Sequence, residues 1–324
     1  MEQNFAEVSI KGVIHKLRCA VSGAHTIISE GRWLKMASIH DEHWRPATVE
    51  DPAALVTAIK EQGLKADILT FAQKLPDTKP KFNHRMEWEN LAVIPLTTFD
   101  EWWEKRLPQE TRKNVRRAGR RGVTTRIIEF DDSVAAALKR IYDETPIRQG
   151  RKFWHYGKDV ETVKRENASY LETCEWIGAF HGEELIGVIK MVYVGRTVTI
   201  MQIISENKHY DKRPANALLA KAVEIAVEKG LTHFIYGQYI YGKAADGPLT
   251  EFKRRNGFEQ VLLPRYYIPL TLKGRLALAL NLHLGLRRLL PRKIETTLQA
   301  WRLKMLEKSV PKQTESEPEA AAAH

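Results

Sequence analysis

The segment that follows Glu175 constrains the fold more than any other part of the chain. Two apolar runs, residues 176–180 and 185–193, flank a Gly-containing turn and predict a β-hairpin. A third run, residues 197–205, is rich in β-branched side chains and predicts another strand. After a polar loop, residues 214–230 begin with proline and end with glycine, as helices commonly do. A fourth apolar run follows, so the order hairpin, strand, helix, strand predicts a mixed α/β sheet.

The regions on either side add further elements to this prediction. Residues 250–257 predict a short helix, and residues 258–263 and 265–270 predict a closing pair of strands. Residues 1–97 show a weaker strand, helix, strand order, with the helix beginning after Asp51-Pro52. We therefore expect an N-terminal α/β subdomain over residues 1–97 and a larger domain over residues 98–270.

Positive charge is clustered rather than spread along the chain. Lys and Arg number 51 against 40 Asp and Glu, a net charge of +11. Residues 112–121 contain six basic residues and no acid, and residues 271–308 contain nine basic residues and two acids. Such clusters suit nucleic acid, anionic lipid or a phosphorylated cofactor. A solvated basic face is an equally good explanation of either cluster taken alone.

The cysteines and the chain ends exclude several protein classes. Cys19 and Cys174 are too few for a disulfide framework, and no metal-ligand spacing surrounds them, so no metal is expected. A buried structural thiol is the favoured role for Cys174. Neither a leader-like N-terminus nor an apolar run of spanning length is visible, which predicts a cytoplasmic protein. The composition of residues 309–324 predicts a disordered tail.

Two motifs accompany this order of elements. The segment Phe252-Lys-Arg-Arg-Asn-Gly-Phe-Glu259 looks like the late aromatic and Gly-Phe signature of the GNAT acyltransferase superfamily. The segment Arg112-Lys-Asn-Val-Arg-Arg-Ala-Gly-Arg-Arg-Gly-Val123 resembles the basic helix that precedes the core in the Fem-type and BioF2-like branch. The resemblance implies an α+β (mixed α/β) fold with a GNAT-like central mixed sheet flanked by helices. It also makes a degenerate second GNAT half over residues 1–97 an option.

The resemblance implies a direct transfer chemistry. In such proteins the acyl donor, usually acyl-CoA, lies where the third and fourth core strands diverge, and an amine or hydroxyl attacks its carbonyl. The amides at the start of the following helix bind the donor's phosphates, which physically suits a helix N-terminus. The donor-binding residues implied here are Ile203, Ile204, Lys212, Arg213, Ala215 and Asn216. The usual glycines are missing from this loop, so Lys212 and Arg213 would supply the phosphate charge, unless they belong to an ordinary polar loop.

Candidate catalytic and acceptor-binding residues lie near the ends of these strands. Carboxylates, imidazoles and tyrosines there can transfer protons in such a reaction. The catalytic candidates are Glu206, His209, Tyr236 and Tyr239. The stretch 144–157 is rich in hydrogen-bond donors and aromatic rings between Pro and Gly breakers, which is typical of binding loops. Its candidate acceptor-binding residues are Arg148, Arg151, Trp154 and His155, and a structural role is open for each candidate.

The C-terminal segment 271–308 predicts a basic helical extension. Its leucines would spread around most of a helix, which predicts either burial against the core or contact with an anionic membrane surface. In the second case the protein would be peripheral on the inner face of the membrane.

Three functions remain open from the sequence. The first is an acyltransferase that uses acyl-CoA or acetyl-CoA, or a related thioester, as cosubstrate on an amine or hydroxyl of a sugar, peptide or envelope precursor. The second is a Fem-type transferase that takes an aminoacyl group from tRNA; the basic helix and the missing glycines favour it. The third is a non-catalytic nucleic-acid-binding protein, which would leave the order of elements unexplained.

Overall fold

The computed structural model describes residues 4–10, 13–148, 151–242 and 247–285. Within these residues the strands are β1 (Phe5–Ile10), β2 (Val13–Ser22), β3 (His25–Glu30), β4 (Met36–Ile39), β5 (Ile68–Ala72), β6 (Arg85–Pro95), β7 (Val123–Ile128), β8 (Ile147–Arg148), β9 (Arg151–Lys152), β10 (Cys174–His181), β11 (Glu184–Val194), β12 (Thr197–Ser205), β13 (His233–Gln238) and β14 (Glu259–Pro269). The α-helices are α1 (Pro52–Glu61), α2 (Phe99–Glu101), α3 (Gln109–Arg120), α4 (Asp132–Asp143), α5 (Val160–Asn167), α6 (Pro214–Glu228), α7 (Pro248–Arg255) and α8 (Leu272–Ala279).

One large sheet organises the described residues. Its strand order is β1-β2-β3-β4-β5-β14-β6-β13-β12-β11-β10-β7, and β8 and β9 pair separately. Two neighbouring pairs in it, β4 with β5 and β12 with β13, are parallel, while the others are antiparallel. The predicted mixed α/β class, with a mixed sheet flanked by helices, is therefore confirmed.

The same unit occurs twice along the sheet. In each case a hairpin leads through a helix to a strand that lies parallel to the hairpin's second strand: β3-β4-α1-β5 and β11-β12-α6-β13. The strand after each unit is exchanged, because β6 follows β5 in the chain but pairs with β13, and β14 follows β13 but pairs with β5. The N-terminal unit thus has the order expected of a degenerate second half, while the proposed domain boundaries stay predictions.

Helices cover both faces of the sheet around the second unit. α6 is apolar on most of its surface because its inner side packs on the sheet and α3 packs beside it. Along β12, Ile203 faces this α6 cluster, whereas Ile204 faces the opposite cluster with α4 and α5. Consecutive strand residues point to opposite faces, so the two isoleucines contribute to different layers.

The predicted closing pair of strands is wrong. Residues 258–263 and 265–270 belong together, because β14 is one strand that pairs with β6 along Glu259–Tyr267 and with β5 from Arg265 onward. Pro264 does not interrupt it. Its carbonyl accepts from the backbone N–H of Gln73 at 2.8 Å, just beyond the end of β5, so backbone pairing continues at the proline.

The C-terminal extension begins with α8, which packs on Ile68 and Tyr267 through Ala277 and Leu278. The rest of the predicted extension, residues 286–308, and the predicted tail 309–324 lie outside the described residues. None of the helices in the described part of the chain has the length and apolarity needed to cross a bilayer.

Candidate functional site

Strands β12 and β13 diverge after a short parallel contact. They pair only from Thr197 to Thr199 with His233 to Ile235, although β12 pairs with β11 along almost its whole length. β13 turns away at Gly237, whose φ is +54° and where a Cβ would lie 2.6 Å from the Tyr241 hydroxyl. The left-handed backbone favours glycine there, and a Cβ would force the Tyr241 side chain to move. The gap between the two strands beyond their parallel contact is called the β12/β13 cleft below.

The N-terminus of α6 stands after this cleft and is open to an anion. Arg213 occupies the N-cap position in the left-handed conformation (φ 59°), and no described side chain caps the helix. Proline at the next position has no N–H to offer. Lys212 and Arg213 are both partly exposed, and the Arg213 guanidinium lies 4.6 Å from the Tyr210 ring centroid. The Asn216 and Ala217 amides donate to the Arg213 carbonyl at 3.1 and 3.4 Å, so it is the Ala215 amide, the helix dipole and the two cations that favour a phosphate or another anion.

The matching position in the N-terminal unit is closed. The side chain of Asp51 caps α1 by accepting from the Ala53 N–H at 2.8 Å, so a carboxylate already occupies that helix end. Beside the end of β5, the buried Glu42 accepts from the Ala72 N–H at 2.6 Å and pairs with Arg265 at 2.8 Å. An anion would meet negative charge there, whereas no described side chain caps the matching helix α6 of the C-terminal unit.

Lys253 is the least expected residue near the cleft, and sequence analysis missed it. Its side chain is 0% exposed, and its ammonium donates to the Gln238 carbonyl at the end of β13. The ammonium also faces the rings of Tyr236 and Tyr241, 4.4 and 4.6 Å from their centroids. No described carboxylate lies within ion-pair distance of it. Burial lowers the pKa of Lys253 to about 8, so at neutral pH this buried ammonium is mostly charged and has no ion-pair partner among the described residues.

The tyrosine candidates lie on the same face as Lys253. Tyr236 and Tyr239 pack against the α6 cluster, and the Tyr239 carbonyl accepts from the Thr250 hydroxyl. Burial raises the pKa of Tyr236, which keeps its hydroxyl protonated and able to donate a proton or a hydrogen bond.

The other two catalytic candidates lie on the opposite face. Glu206 is buried and pairs with Arg140 of α4 at 2.8 Å and with Lys208 at 3.1 Å. The His209 ring lies 3.5 Å from Glu206 and 3.6 Å from Glu184. Oxygen and nitrogen atoms of Glu184, Glu206 and His209 lie close enough to hold a metal ion. Two cations already compensate the two carboxylates, so the cluster fits an ion-pair network better than a metal centre.

The predicted donor-binding residues fall in two places. Lys212, Arg213, Ala215 and Asn216 are together at the start of α6, and Ile203 lies on the same face. The side-chain amide of Asn216 donates to the side-chain oxygen of Asn256, at the end of α7, at 3.1 Å. This hydrogen bond connects the start of α6 to the helix that carries Lys253. Ile204 lies on the α4 face instead, away from this group.

The acceptor candidates lie on the α4 face and make internal contacts. Arg148 donates to the carbonyls of Ile141 and Ser205 and to Glu144. His155 stacks on Tyr142 at 4.4 Å and accepts a hydrogen bond from the Trp154 indole at 2.9 Å. Trp154 itself is half-exposed. The side chain of Arg151 lies outside the described residues. Structural contacts account for Arg148 and His155, and a binding role for these residues stays a prediction.

The environment of His155 makes the stability of the protein sensitive to acid. Burial, aided by the nearby Lys158 charge, lowers the pKa of His155 to about 4 from an ordinary value of 6.5. The unfolded chain therefore binds more protons than the folded one between these values, so stability falls as the pH drops from about 6.5 toward 4. We expect this residue to account for about 2 kcal/mol of the loss between pH 7 and pH 4.5.

Urea unfolding at the two pH values checks this expectation. The His155→Gln variant should lose about 2 kcal/mol less stability than wild type over that interval. The control variant, His84→Gln at an exposed position, should follow wild type. Equal losses in all three proteins would show that His155 is protonated in the folded protein without cost.

Comparison with solved structures identifies relatives of this architecture. The chain is similar to FemX, with a TM-score of 0.56 and 12% identity over 86% of this chain and 90% of that one. It is similar to the C-terminal domain of a putative lysylphosphatidylglycerol synthetase from Agrobacterium fabrum, with a TM-score of 0.53, 16% identity and coverage of 81% and 87%. It is also similar to L-PGS from Bacillus licheniformis, with a TM-score of 0.52 and 15% identity over 82% of this chain and 88% of that one.

These similarities exist in three dimensions only. No protein-family model matches the sequence, and no curated protein matches it. Identities this low establish a shared fold, and they support the Fem-type and GNAT-like resemblance at that level.

Proposed function

We propose that the chain is an acyltransferase whose activated donor enters the β12/β13 cleft and places its phosphates at the N-terminus of α6. The observation that carries the proposal is the open N-terminus of α6 beside two diverging strands, with the buried ammonium of Lys253 on the same face. The first donor candidate is acyl-CoA, whose pyrophosphate suits a helix N-terminus flanked by Lys212 and Arg213.

In the proposed reaction an amine or hydroxyl of the acceptor attacks the carbonyl carbon of the donor. A bond forms between that carbon and the attacking atom, the bond to the donor's sulfur or oxygen breaks, and the acceptor's proton is passed on to the leaving group. Lys253 stabilises the negative charge that develops on the carbonyl oxygen, which is the kind of interaction that lowers such barriers most. A protonated tyrosine near the end of β13 gives its proton to the leaving group and regains one from the acceptor, so that it relays the proton without net change. The acceptor class is an amine or hydroxyl of a sugar, peptide or envelope precursor.

A second candidate donor is an aminoacyl-tRNA. The observation in its favour is that the basic helix α3 adjoins the donor site, because Arg121 next to its C-terminus pairs with Asp211 just before α6. Lys113, Arg116 and Arg120 of that helix are exposed. Several exposed basic side chains beside the start of α6 suit a long polyanion better than they suit a single pyrophosphate. FemX and the lysylphosphatidylglycerol synthetases share this fold, and a lysyl group is the group that the latter name implies.

Calorimetric titration distinguishes the donors and tests the site. We expect CoA and acyl-CoA to bind, and Arg213→Glu to weaken binding at least about tenfold because it replaces an attraction to phosphate by a repulsion. The matched control is Arg196→Glu, an exposed arginine at the other end of β12, which should bind like wild type.

Two other outcomes have definite meanings. If thioesters fail to bind while aminoacyl-tRNA binds with a steep salt dependence, the second donor replaces the first. Equal affinities of both arginine variants for whichever donor binds would contradict the placement at α6.

A further inference from the structure

The outward side of α8 carries a row of exposed leucines. Leu272, Leu276 and Leu280 are 81%, 61% and 56% exposed. They are four residues apart, so they lie above one another on one side of the helix. We call these three residues the leucine row. Large side chains left in water along one helix face commonly mark a contact surface.

The row is presented by a helix that is firmly attached to the sheet. Thr271 caps α8 and bonds to Asp67 at 2.9 Å, and Lys273 pairs with the same carboxylate at 2.7 Å. Gly274 packs so closely that a Cβ there would lie 1.9 Å from the Asp67 carbonyl oxygen. Ala277 and Leu278 fill the inner side. The leucine row therefore cannot turn inward without breaking these contacts.

An exposed tryptophan lies next to the same helix. Trp33 is 63% exposed, and its carbonyl accepts from the Lys273 ammonium at 2.7 Å. Tryptophan is enriched where protein meets the headgroup region of a bilayer, because its ring is apolar and its N–H is polar.

The charged side chains that α8 itself carries are all positive. Lys273 and Arg275 are exposed on the same helix, and residues 271–285 contain no acid. Residues 286–308 contain seven Lys or Arg and two Glu. Covering the row with that segment, or with a second copy of α8, would bring positive charge against positive charge. An anionic partner meets the opposite sign at Arg275 and at Lys273, although Lys273 also pairs with Asp67.

From these observations we infer that the leucine row, with Trp33, Lys273 and Arg275, docks on an anionic lipid surface. Leucines and a tryptophan enter the interface while Lys and Arg contact the headgroups, as in interfacial amphipathic helices. The inference does not depend on the transferase proposal, but it would bring that site to acceptors held in a membrane.

Vesicle sedimentation with the full chain tests the inference. We expect binding to phosphatidylglycerol vesicles and little binding to phosphatidylcholine vesicles. Replacing the leucine row by serines should lower the partition coefficient at least about tenfold, because apolar burial and charge act together at such surfaces. The control, Leu171→Ser with Leu262→Ser, changes exposed leucines elsewhere and should bind like wild type.

A labelled variant tests the same surface without removing the row. An environment-sensitive dye on Leu276→Cys should report water in the free protein and a shift to an apolar environment with phosphatidylglycerol vesicles, whereas the dye on Leu171→Cys should not shift. A shift that is already present without lipid would overturn the inference. If that shift vanished on dilution, a second copy of the chain would cover the leucine row. If it persisted, residues 286–308 of the same chain would cover it. Absence of vesicle binding by the wild-type chain would overturn it as well.

Discussion

Replacing Lys253 with methionine is expected to lower kcat about 100- to 1,000-fold, the usual cost of removing one preorganised charge or donor from a reacting carbonyl. The same change should leave the protein as stable as wild type or make it more stable. Lys253 is fully buried with no described carboxylate partner, so the desolvation of its charge is offset by one carbonyl and two tyrosine rings and not by an ion pair. Functional sites typically contain residues that lower the stability of the protein but are needed for its reaction rate.

The pH dependence separates two roles for this lysine. If the ammonium stabilises developing negative charge, kcat/KM should fall as the pH rises through about 8, the pKa to which burial lowers Lys253. If the neutral amine served as a general base, the rate would rise over the same interval. In the methionine variant, the change in kcat/KM near pH 8 should disappear, whichever direction it has in wild type.

Lys190 provides a matched control for this experiment. It is also buried, with its pKa lowered to about 8 by desolvation, but its ammonium donates to the Asn167 carbonyl at 2.8 Å and to Ser169 after the end of α5. Lys190→Met should lose about 1–3 kcal/mol of stability, because buried carbonyls are left without donors, and should keep the rate of the fraction that is folded. A loss of rate in Lys190→Met equal to that in Lys253→Met would contradict the role given to Lys253.

The second large effect concerns the centre of the sheet. Arg265→Met is expected to lower the free energy of unfolding by about 3–5 kcal/mol. Arg265 on β14 pairs with Glu42 at 2.8 Å and with Glu89 at 3.0 Å, and all three side chains are largely buried. Burial alone would lower the pKa of Arg265, but the two carboxylates outweigh it and raise the pKa. Without the guanidinium, two buried carboxylates face each other.

Urea unfolding measures this effect. Arg254→Met is the control, because Arg254 pairs with Glu251 on the surface of α7 and its loss should change stability by less than about 1 kcal/mol. Adding Glu42→Gln and Glu89→Gln to Arg265→Met should recover part of the loss, since the carboxylate repulsion is removed. Similar losses of stability in the Arg265 and Arg254 variants would show that water screens the charges of Arg265, Glu42 and Glu89.

Local sequence patterns predicted the elements but not all of their partners. Proline and glycine mark the ends of α6, and the hairpin of β10 and β11 follows from two apolar runs around a Gly-containing turn. The exchange of β6 and β14 between the two units could not be predicted this way, because pairing between distant strands depends on tertiary packing. The single strand β14 was missed for the same reason, since Pro264 has the local signature of a break.

The candidate site was predicted in part. Pro214 indicated the start of a helix after a strand, the resemblance implied Lys212, Arg213 and Ala215 there, and the structure has them at the start of α6. Local patterns could not show which of the consecutive basic residues 253–255 points inward, although Thr250 and Lys253, three apart, form the buried side of α7. Glu206 was chosen for its position after β12. Its contact with Arg140 depends on how α4 crosses the sheet, which no local pattern reveals.

Hydrogen–deuterium exchange with the donor that binds gives the most direct test of the central claim, that the donor's phosphates meet the open end of α6. Donor binding is predicted to slow exchange at the amides of Ala215, Asn216 and Ala217 and along the diverging part of β12, residues 200–205, and to leave the capped start of α1 unchanged. Protection at α1, or on the α4 face around Arg148 and His155, without protection at α6, would contradict the account.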